Sequence, residues 1–546
     1  MTPEQFVAKW SACELSEKAA SHEHFIDLCQ MLGVPTPASS DPTGQDYCFE
    51  KPVRTTAPAS KGSKGDYGFV DVWKRNCFAW EYKRKDKYKS LDDAYRQLYQ
   101  YRDDLENPPL SVVCDISNTV IHTHFQGYPK RTIILKLEEI PGNTETLRRL
   151  FNAPDSFKPA KTAATLTQDV AEEFGKLADA LRDRFPDTGP GAVHPHHIAH
   201  FLMKIIFCLF AEGIDLLPGQ AFKRLIKRCQ LDAESGPKRL DQLFTLMRTG
   251  GEFGNDLIPW FNGGLFDDAP AIPLKYGDFN TLAKIAEKDW SGVEPSIFGT
   301  LFERILDPNK RAQIGAHYTG RDDILLVVEP VVMAPLRRRW QTLQDELQPA
   351  IDQIIAHCQL PANPRKTPAR HAERTRETSG PEVQTAPLPS TSKMSNADFK
   401  TLRKQVENKL QEFRHYLATL RILDPACGSG NFLYVALQLL LDLDYEIQRF
   451  ATRCGIPLPA LPYIRPSQTL HGIEINAYAS ELAQVVIWIG YIQWLRDHGL
   501  DVPNQPILDK LQSIENRDAI LDFLPSAAGA RSAASAPTGS PSTAAG

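Results

Sequence analysis

The sequence lacks several features that would assign it early to a class of protein. Its 10 cysteines are scattered with no Cys-x-x-Cys pair, which argues against zinc ribbons and disulfide scaffolds and for a reducing compartment. No apolar run approaches the length of a membrane span, and the opening MTPEQFVAKW has no signal-peptide pattern. The net charge of -5 gives no global basic signal, so nucleic-acid contacts must come from local patches. These absences predict a soluble cytoplasmic protein with no membrane contact.

Length and composition are those of a globular protein with several domains. The chain has 546 residues, 42% of them hydrophobic and 24% charged. At roughly 150 residues per domain, three or four domains are expected. Strand-like segments alternate with a helical segment at 90–106 and predict a first α/β unit over 1–155. The pattern over 156–300 is helical, and a second α/β pattern lies within 301–525.

Two segments have the composition of disorder. The stretch at about 358–398 is rich in proline and charge and poor in apolar residues, so it predicts a disordered insert. The tail at 526–546 has one charged residue and no large apolar residue, and it predicts low-complexity disorder.

A glycine loop within the second α/β pattern carries the most specific signal. The string LRILDPACGSGNFL has the order strand, loop, helix, and Gly428 and Gly430 permit a tight turn close to a ligand. A dinucleotide-binding fingerprint would have a third glycine at position 433, which is leucine here. A P-loop would need Gly-Lys-Ser/Thr, which this loop lacks. An acid at the strand tip, Asp424, suits a cationic amine better than a pyrophosphate.

The string from Asp424 to Leu433 resembles motif I of S-adenosylmethionine-dependent DNA adenine methyltransferases. Residues 315–319 (GAHYT) resemble their motif X, 471–494 resemble motif II, and Asp518 stands where motif III places an acid. The resemblance implies a partial Rossmann-like class I methyltransferase domain that transfers a methyl group to adenine N6. It implies these cofactor-binding residues: Tyr318, Thr319, Asp424, Pro425, Ala426, Gly428, Gly430, Asn431, Phe432, Glu474, Ile475 and Asp518.

Each of the other three motifs also has a plain structural interpretation. Glu474 could be a solvated strand end, Asp518 a helix cap, and Tyr318-Thr319 a helix start. Four motifs in the family's order favour the methyltransferase. The 50 residues between Asp424 and Glu474 exceed the βαβ spacing of about 20, so a helical insertion is expected.

The first α/β unit contains a candidate nuclease motif, Asp71-x₉-Glu81-x-Lys83. Strand alternation sets Glu81 and Lys83 on one face, and a hairpin partner could bring Asp71 alongside. Two carboxylates holding Mg²⁺ beside a lysine suit phosphodiester hydrolysis, although an ordinary surface hairpin is the alternative. On the next helix, Gln97 and Tyr101 resemble the Gln-x-x-x-Tyr element of PD-(D/E)xK nucleases. The expected catalytic residues are Asp71, Glu81, Lys83 and Gln97, with Asp71 and Glu81 as metal ligands.

The order of a nuclease-like domain, helical spacer, motif X and motif I resembles the MmeI-like type IIG (IIL) restriction–modification enzymes. The resemblance covers about 15–340 and 400–525. It includes the sequence at 205–212, which is typical of the spacer, and the sequence at 290–307, which is typical of the segment that follows it. It implies S-adenosylmethionine and Mg²⁺ as cofactors, double-stranded DNA as partner, and adenine methylation joined to DNA cleavage in phage defence.

Motif IV, Asn/Asp-Pro-Pro-Tyr/Phe, should follow motif III and hold the flipped adenine, yet it is missing. The string Asn107-Pro108-Pro109-Leu110 has leucine in place of the aromatic residue and is expected to be a loop before a strand. We therefore expect a C-terminally truncated enzyme without motif IV or the target-recognition domain, which a downstream chain could supply.

Two alternatives stay open: a methyltransferase-only phage-defence enzyme with a DNA-clamping front end, and a non-catalytic cofactor-binding subunit. The histidines at 194, 196, 197 and 200 are expected to be a loop and helix start rather than a metal site.

Overall fold

A computed structural model describes the fold over 1–13, 17–54, 67–83, 91–102, 104–185, 193, 195–214, 216–261, 264–267, 271–295, 299, 319–359, 394–456, 458–500 and 511–520. The helices of this part are α1 (Pro3–Ser11), α2 (Glu17–Leu32), α3 (Pro37–Ser40), α4 (Asp92–Gln100), α5 (Thr144–Asn152), α6 (Ala163–Arg184), α7 (Pro195–Gly213), α8 (Ala221–Leu231), α9 (Gly236–Thr249), α10 (Tyr276–Ala286), α11 (Arg321–Val328), α12 (Ala334–Gln359), α13 (Asn396–Thr419), α14 (Asn431–Arg453), α15 (Pro466–Thr469) and α16 (Ala477–Asp497). The strands are β1 (Tyr47–Arg54), β2 (Tyr67–Lys74), β3 (Phe78–Tyr82), β4 (Leu110–Cys114), β5 (Asn118–Thr123), β6 (Thr132–Lys136), β7 (Gly251–Phe253), β8 (Asp256–Ile258), β9 (Ile422–Asp424), β10 (Leu470–Glu474) and β11 (Ile514–Asn516).

The first α/β unit is built on a six-stranded sheet with its strands in chain order, β1 to β6. Neighbouring strands are antiparallel except for β3 and β4, which run parallel. A parallel pair needs a crossover connection, and α4 lies in it. The strands predicted within 67–136 are therefore confirmed, and the helix predicted at 90–106 is present as the shorter α4, which ends at Gln100.

Strand β1 was not predicted by the sequence pattern. The run Glu50-Lys51-Pro52 hides the period-two alternation, and Glu50 has a φ of 51°. Proline cannot donate to a strand ladder, so it is confined to edge positions. The tertiary structure places β1 at the edge of the sheet, where Pro52 is tolerated.

Helices cover both faces of this sheet. Phe25 of α2 and Trp10 of α1 belong to the same apolar core as Trp80 and Tyr82 of β3. On the other face, Leu98 of α4 packs in a second core with the sheet. The strand alternation that puts Trp80 and Tyr82 in the first core therefore directs Glu81 toward the α4 face.

The helical pattern predicted over 156–300 corresponds to helices α6 to α10, with one addition. The core helix α7 is buried along almost its whole length from Ile198 to Ala211. The two-stranded hairpin β7–β8 was not predicted, because two three-residue strands are too short to show a period.

The histidine-rich segment begins α7, which starts at Pro195 as expected. His200 is buried, with Nδ1 3.0 Å from an Oε2 of Glu481 in α16 and Nε2 2.9 Å from the Leu265 carbonyl. His200 therefore ties the spacer to the second α/β unit. Among the described residues there is no group of three or more His, Cys, Asp or Glu side chains placed to hold a metal ion. His194 lies outside the described residues.

The second α/β unit contains a parallel three-stranded sheet in the order β11–β10–β9. The long helix α14 follows β9 and α16 follows β10, and both pack in the large apolar core. The helical insertion expected between Asp424 and Glu474 is present as the length of α14 and as the four-residue α15.

A buried ion pair anchors this unit. Arg414 of α13 donates to both carboxylate oxygens of Asp444 in α14, at 2.8 and 2.9 Å, and both side chains are 0% exposed. Arg414 also donates to the carbonyls of Pro459 and Leu461 in the segment after α14. Four hydrogen bonds from the guanidinium thus join helix, helix and loop.

The structure corrects the limits of the predicted insert. The segment expected at about 358–398 overlaps the end of α12 at Gln359 and the start of α13 at Asn396. The Ser395 side chain caps α13 by accepting from the Asp398 N–H. Amino-acid composition alone does not reveal such a helix start. Residues 360–393 and the tail at 526–546 lie outside the described residues.

Two further expectations concern short strings. Pro109 directly precedes β4, so Asn107-Pro108-Pro109-Leu110 is a loop leading into a strand, as predicted. No helix in the described part of the chain is long and apolar enough to cross a membrane.

Candidate cofactor-binding and nuclease sites

The glycine loop between β9 and α14 is held by its own backbone. The Cys427 N–H donates to the Ile473 carbonyl of β10 at 3.1 Å, and the Gly430 N–H donates to the Cys427 carbonyl at 2.8 Å. Gly428 and Gly430 have positive φ angles of 53° and 80°, which glycine adopts without strain. The loop is therefore pinned against the neighbouring strand before any ligand binds.

The two glycines have different surroundings. A Cβ on Gly430 would lie 2.9 Å from the Cβ and 3.0 Å from the Cα of Ala483 in α16. A Cβ on Gly428 would meet nothing within 4 Å. Gly430 is thus required for packing between two helices, whereas Gly428 faces open space.

Glu474, at the end of β10, connects the loop to the next helix. It is 9% exposed, and its two carboxylate oxygens accept from the Gly428 N–H and the Asn476 N–H, each at 2.8 Å. A carboxylate has about four acceptor positions, so two remain for hydroxyl donors. The interpretation of Glu474 as a merely solvated strand end is wrong, because the side chain is buried and bonded.

Asp424 ends β9 beside Glu474. Its carboxylate accepts from the Ala426 N–H at 3.1 Å. Burial raises the pKa of Asp424 above its usual value and the nearby Glu474 raises it further, while the Ala426 hydrogen bond opposes the rise. A positively charged group beside these two acids would favour the ionised form of Asp424 and so lower its pKa again. The electrostatics therefore fit a cationic ligand group.

Other predicted cofactor residues surround this pair. Pro425 and Ala426 are exposed, Phe432 packs half-buried against the core, and Ile475 is 65% exposed. Asn431 begins α14 with its Oδ1 buried and without a hydrogen-bond partner among the described residues. A buried orphan acceptor is costly, and a ligand donor would satisfy it.

Asp518 lies just after the end of β11, the strand that pairs with β10 and its last residue Glu474. The Arg517 N–H donates to the Glu474 carbonyl at 3.1 Å, and the Asp518 carboxylate accepts from the Ile520 N–H at 2.8 Å. The structure thus brings Asp424, the glycine loop, Glu474 and Asp518 together at the carboxyl edge of one sheet. That edge is where ligands bind in open α/β sheets.

Motif X is only partly described. Thr319 is half-buried, and within the described residues no hydrogen bond joins it to the glycine loop. Tyr318 lies outside the described residues. Gly299 was not predicted as a site residue, yet a Cβ there would lie 2.5 Å from the Ser429 Oγ and 3.1 Å from the Asn431 Nδ2. Its only signal was a glycine inside the WSGVEPSIFGTLFERILD string.

The candidate nuclease residues meet on the α4 face of the first sheet. The Asp71 carboxylate in β2 accepts from the Tyr82 N–H of β3 at 2.6 Å. The Lys83 Nζ donates to the Glu81 Oε1 at 2.7 Å and reaches the Gln97 Oε1 of α4 at 3.4 Å. Gln97 in turn donates to the Tyr101 hydroxyl at 3.3 Å. Glu81, Lys83, Gln97 and Tyr101 thus form one hydrogen-bonded cluster, and Asp71 is held beside it by the backbone of Tyr82.

Asp71 and Glu81 could hold Mg²⁺, because this ion takes oxygen ligands and is usually bound by one or two carboxylates with waters and substrate phosphate. The Lys83 and Glu81 side chains are 12% and 8% exposed, so their charges are screened less than those of a surface pair. The donor set therefore fits the ion that the motif implies.

A buried histidine behind this cluster was missed. His24 of α2 lies 2.8 Å, through Nδ1, from the Tyr82 hydroxyl, inside the ring cage of Phe6 and Trp10. Burial lowers the pKa of His24 to about 3, so it stays neutral in the fold. No local pattern distinguishes His24 from the neighbouring His22 of α2, so its burial was not predicted.

The molecule thus has a nuclease-like α/β unit, a helical spacer and a Rossmann-like unit with a glycine loop at the carboxyl edge of its sheet. Three family models of MmeI match in the same order: its N-terminal domain at 1–184, its helicase spacer domain at 196–266 and its DNA-methyltransferase domain at 400–509. Together they cover about two thirds of the chain, which belongs to the MmeI-like family of restriction–modification enzymes.

Individual relatives are more distant. DNA methyltransferase A of Bacillus subtilis (strain 168) is 23% identical over 333 residues, covering 59% of this chain and 30% of the relative. A putative type II restriction enzyme and methyltransferase of Methanocaldococcus jannaschii is 33% identical over 118 residues, covering 18% of this chain and 9% of that protein. The solved type IIL enzyme MmeI in complex with DNA is 25% identical with a TM-score of 0.44, covering 64% of this chain and 40% of that one. The chain therefore spans less than half the length of each.

Proposed function

We propose that the carboxyl edge of β9, β10 and β11 binds S-adenosylmethionine and forms the cofactor-binding part of a DNA adenine-N6 methyltransferase. The observation that carries the proposal is Glu474, which closes the glycine loop through Gly428 and keeps acceptor positions for two ribose hydroxyls. When bound, the cofactor supplies an electrophilic methyl group.

The other residues have complementary roles in this proposal. Asp424 is assigned to the cationic amino-acid end, because burial and the neighbouring Glu474 raise its pKa and a positive charge there would offset that rise. Asp518 accepts from the adenine amino group of the cofactor, and the exposed Ile475 covers the adenine ring. The Asn431 Oδ1 accepts a donor from the same ligand.

Calorimetric titration of the full chain with S-adenosylmethionine tests this site. Wild type should bind, and Glu474→Ala should weaken binding at least 100-fold because two hydroxyl contacts and the loop closure are lost together. The matched control is Glu515→Gln, an exposed carboxylate on the neighbouring strand whose partner is Arg517. Equal affinity of wild type and Glu474→Ala would refute the site.

We propose further that the first α/β unit is a Mg²⁺-dependent DNA endonuclease. Asp71 and Glu81 hold the ion, Lys83 orients the attacking water, and Gln97 positions Lys83. The support is the connected cluster on one face of the sheet, which an ordinary surface hairpin would not require.

Cleavage of supercoiled duplex DNA by the full chain, together with any partner chain it needs, tests this assignment. Lys83→Ala should abolish nicking and cutting while S-adenosylmethionine affinity stays unchanged. Lys136→Ala, an exposed lysine of β6, is the matched control. Cutting by Lys83→Ala at the wild-type rate would show that this cluster is not the cutting centre, whereas no Mg²⁺-dependent cutting by wild type would favour the alternative of a methyltransferase with a DNA-clamping front end.

One sequence observation favours a second candidate function, that of a subunit that binds cofactor and needs another chain for methyl transfer. Pro109 of the Asn-Pro-Pro string at 107–109 directly precedes β4 in the nuclease-like unit and does not lie at the candidate cofactor site. Methyl transfer to duplex DNA by the isolated chain would exclude this candidate. Cofactor binding without transfer, and transfer on adding a chain that bears motif IV, would support it.

A further inference from the structure

An open groove of about 1060 Å³ lies in the spacer between α8, α9 and the β7–β8 hairpin. Its lining includes four cationic side chains, Arg224, Arg228, Lys238 and Arg239. The neutral hydrogen-bonding side chains Gln242, Thr245 and Asn255 also line it. The spacer thus has a polar groove remote in sequence from both candidate sites.

The lining of this groove has four cationic side chains and two acidic ones, Asp241 and Glu252. Arg224 pairs with Asp256, and Arg239 pairs with Asp232 at 3.7 Å. The lining acid Asp241 accepts from the Ala271 N–H at 2.5 Å.

Arg228 and Lys238 are exposed and have no ion pair or side-chain hydrogen bond within the described part of the chain. Residues 221–258 carry seven Lys and Arg against five Asp and Glu, although the whole chain has a net charge of -5. The groove is therefore a local basic region on an acidic protein.

The spacing of these groups fits a repeating anion. Arg224 and Arg228 are four residues apart on α8, so they share a face at about 5–6 Å between Cβ atoms. Lys238, Gln242 and Thr245 share a face of α9 for the same reason. Like charges four apart destabilise a helix, and α8 has four cations and no acid. An anion along the groove would remove that repulsion.

We propose that this groove binds the phosphodiester backbone of duplex DNA, with Arg228 and Lys238 as phosphate contacts. Arginine, lysine, glutamine and threonine side chains are common phosphate contacts and carry no base specificity. A small anion would favour a more enclosed site, in which most of the ligand surface is buried. The proposal rests on DNA being the substrate under the proposed function, and it adds a third DNA contact region between the two active units.

Fluorescence anisotropy of a labelled 40-base-pair duplex with the full chain tests the proposal across a salt series. Each phosphate contact contributes about 0.9 to the slope of log affinity against log salt. The double variant Arg228→Ala/Lys238→Ala should therefore lower the magnitude of that slope by about two and weaken binding at low salt at least tenfold. Lys176→Ala/Lys284→Ala, which removes two exposed lysines from α6 and α10, should retain the wild-type slope.

Three outcomes would overturn the proposal: no duplex binding by wild type, an unchanged slope in the Arg228/Lys238 variant, or the same loss in the control variant. Inorganic triphosphate is the comparison probe at constant ionic strength. Saturable triphosphate binding that the Arg228/Lys238 variant loses, with an unchanged DNA slope, would assign the groove to a small anion instead. S-adenosylmethionine affinity is measured on each variant, so failure of the cofactor site is seen separately from failure of the groove.

Discussion

The two candidate sites differ in how far the chain satisfies their polar groups by itself. In the nuclease-like unit, Lys83 already bonds Glu81 and reaches Gln97, and the Asp71 carboxylate accepts from the next strand. At the cofactor edge, the pKa of Asp424 is raised, and the apolar Ile475 is exposed. The first site is assembled around an internal ion pair, whereas the second has the charge and surface of a site that a ligand completes.

The sheets explain this difference. The six-stranded sheet has a helix-covered core on each face, so its polar groups are close to partners from several elements. The three-stranded parallel sheet ends at an edge where Leu423 and Ile475 are 58% and 65% exposed. Parallel strands are normally covered on both faces, so apolar exposure at this edge supports the proposal that a ligand binds there.

The largest expected effect concerns the anchor of the methyltransferase-like unit. Arg414→Ala leaves the Asp444 carboxylate buried without its cation, which should lower the free energy of unfolding by about 3–5 kcal/mol. Urea unfolding measures it. Lys409→Ala, which breaks an exposed pair with Glu346, is the matched control and should cost less than about 1 kcal/mol. Equal losses in the two variants would show that the buried pair does not anchor this unit.

The nuclease-like unit should respond to acid through His24. Its pKa is about 3 in the fold and near 6.5 when unfolded, so below pH 6.5 the unfolded chain takes up a proton that the folded chain does not. Stability should therefore be complete above pH 6.5 and fall by about 1.4 kcal/mol per pH unit as the pH drops toward 3.

The variant His24→Phe isolates this effect. It keeps an aromatic ring among Phe6 and Trp10 but cannot titrate, so the difference in unfolding free energy from wild type should change with pH between 6.5 and 4. Parallel pH profiles of the two proteins would contradict the assignment. His415→Phe, an exposed histidine of α13, is the control.

The two loop glycines give a smaller and sharper contrast. Gly430→Ala adds a Cβ against Ala483 at a positive φ, so overpacking should cost about 1–3 kcal/mol and weaken cofactor binding. Gly428→Ala meets open space and keeps only the cost of its φ, about 1 kcal/mol. Thermal unfolding with and without S-adenosylmethionine measures both. A larger loss of unfolding free energy in Gly428→Ala than in Gly430→Ala would mean that the contact with Ala483 is not what requires glycine at position 430.

The smallest effect is expected at the exposed apolar edge. Ile475→Ser should leave the unfolding free energy within about 0.5 kcal/mol, since the side chain is 65% exposed. Cofactor affinity should fall about fivefold, the equivalent of about 1 kcal/mol of apolar burial. Leu231→Ser, on a 90% exposed residue at the end of α8, should change neither quantity. Unchanged affinity in Ile475→Ser would remove this residue from the site.

Patterns local in sequence predicted much of the fold. The alternation in GFVDVW and NCFAWEYK predicted β2 and β3, and the order strand, glycine loop, helix predicted β9 and α14. β1 failed because Pro52 is acceptable only at an edge, which is a property of the sheet and not of the segment. The roles of Asp71, Glu81, Lys83 and the cofactor residues stay predictions that the proposed variants test.

By itself the sequence determined the fold class, the order of the units and the motif residues, because strand alternation, helical spacing and glycine requirements act over a few residues. Only the tertiary structure decided which of those residues meet: Glu474 with Gly428, Lys83 with Gln97, and Arg414 with Asp444. It also decided that His24 stays neutral and that Gly430 must lack a side chain. Burial and close packing depend on partners that are distant in the chain, and a single sequence does not specify which distant partners will come together.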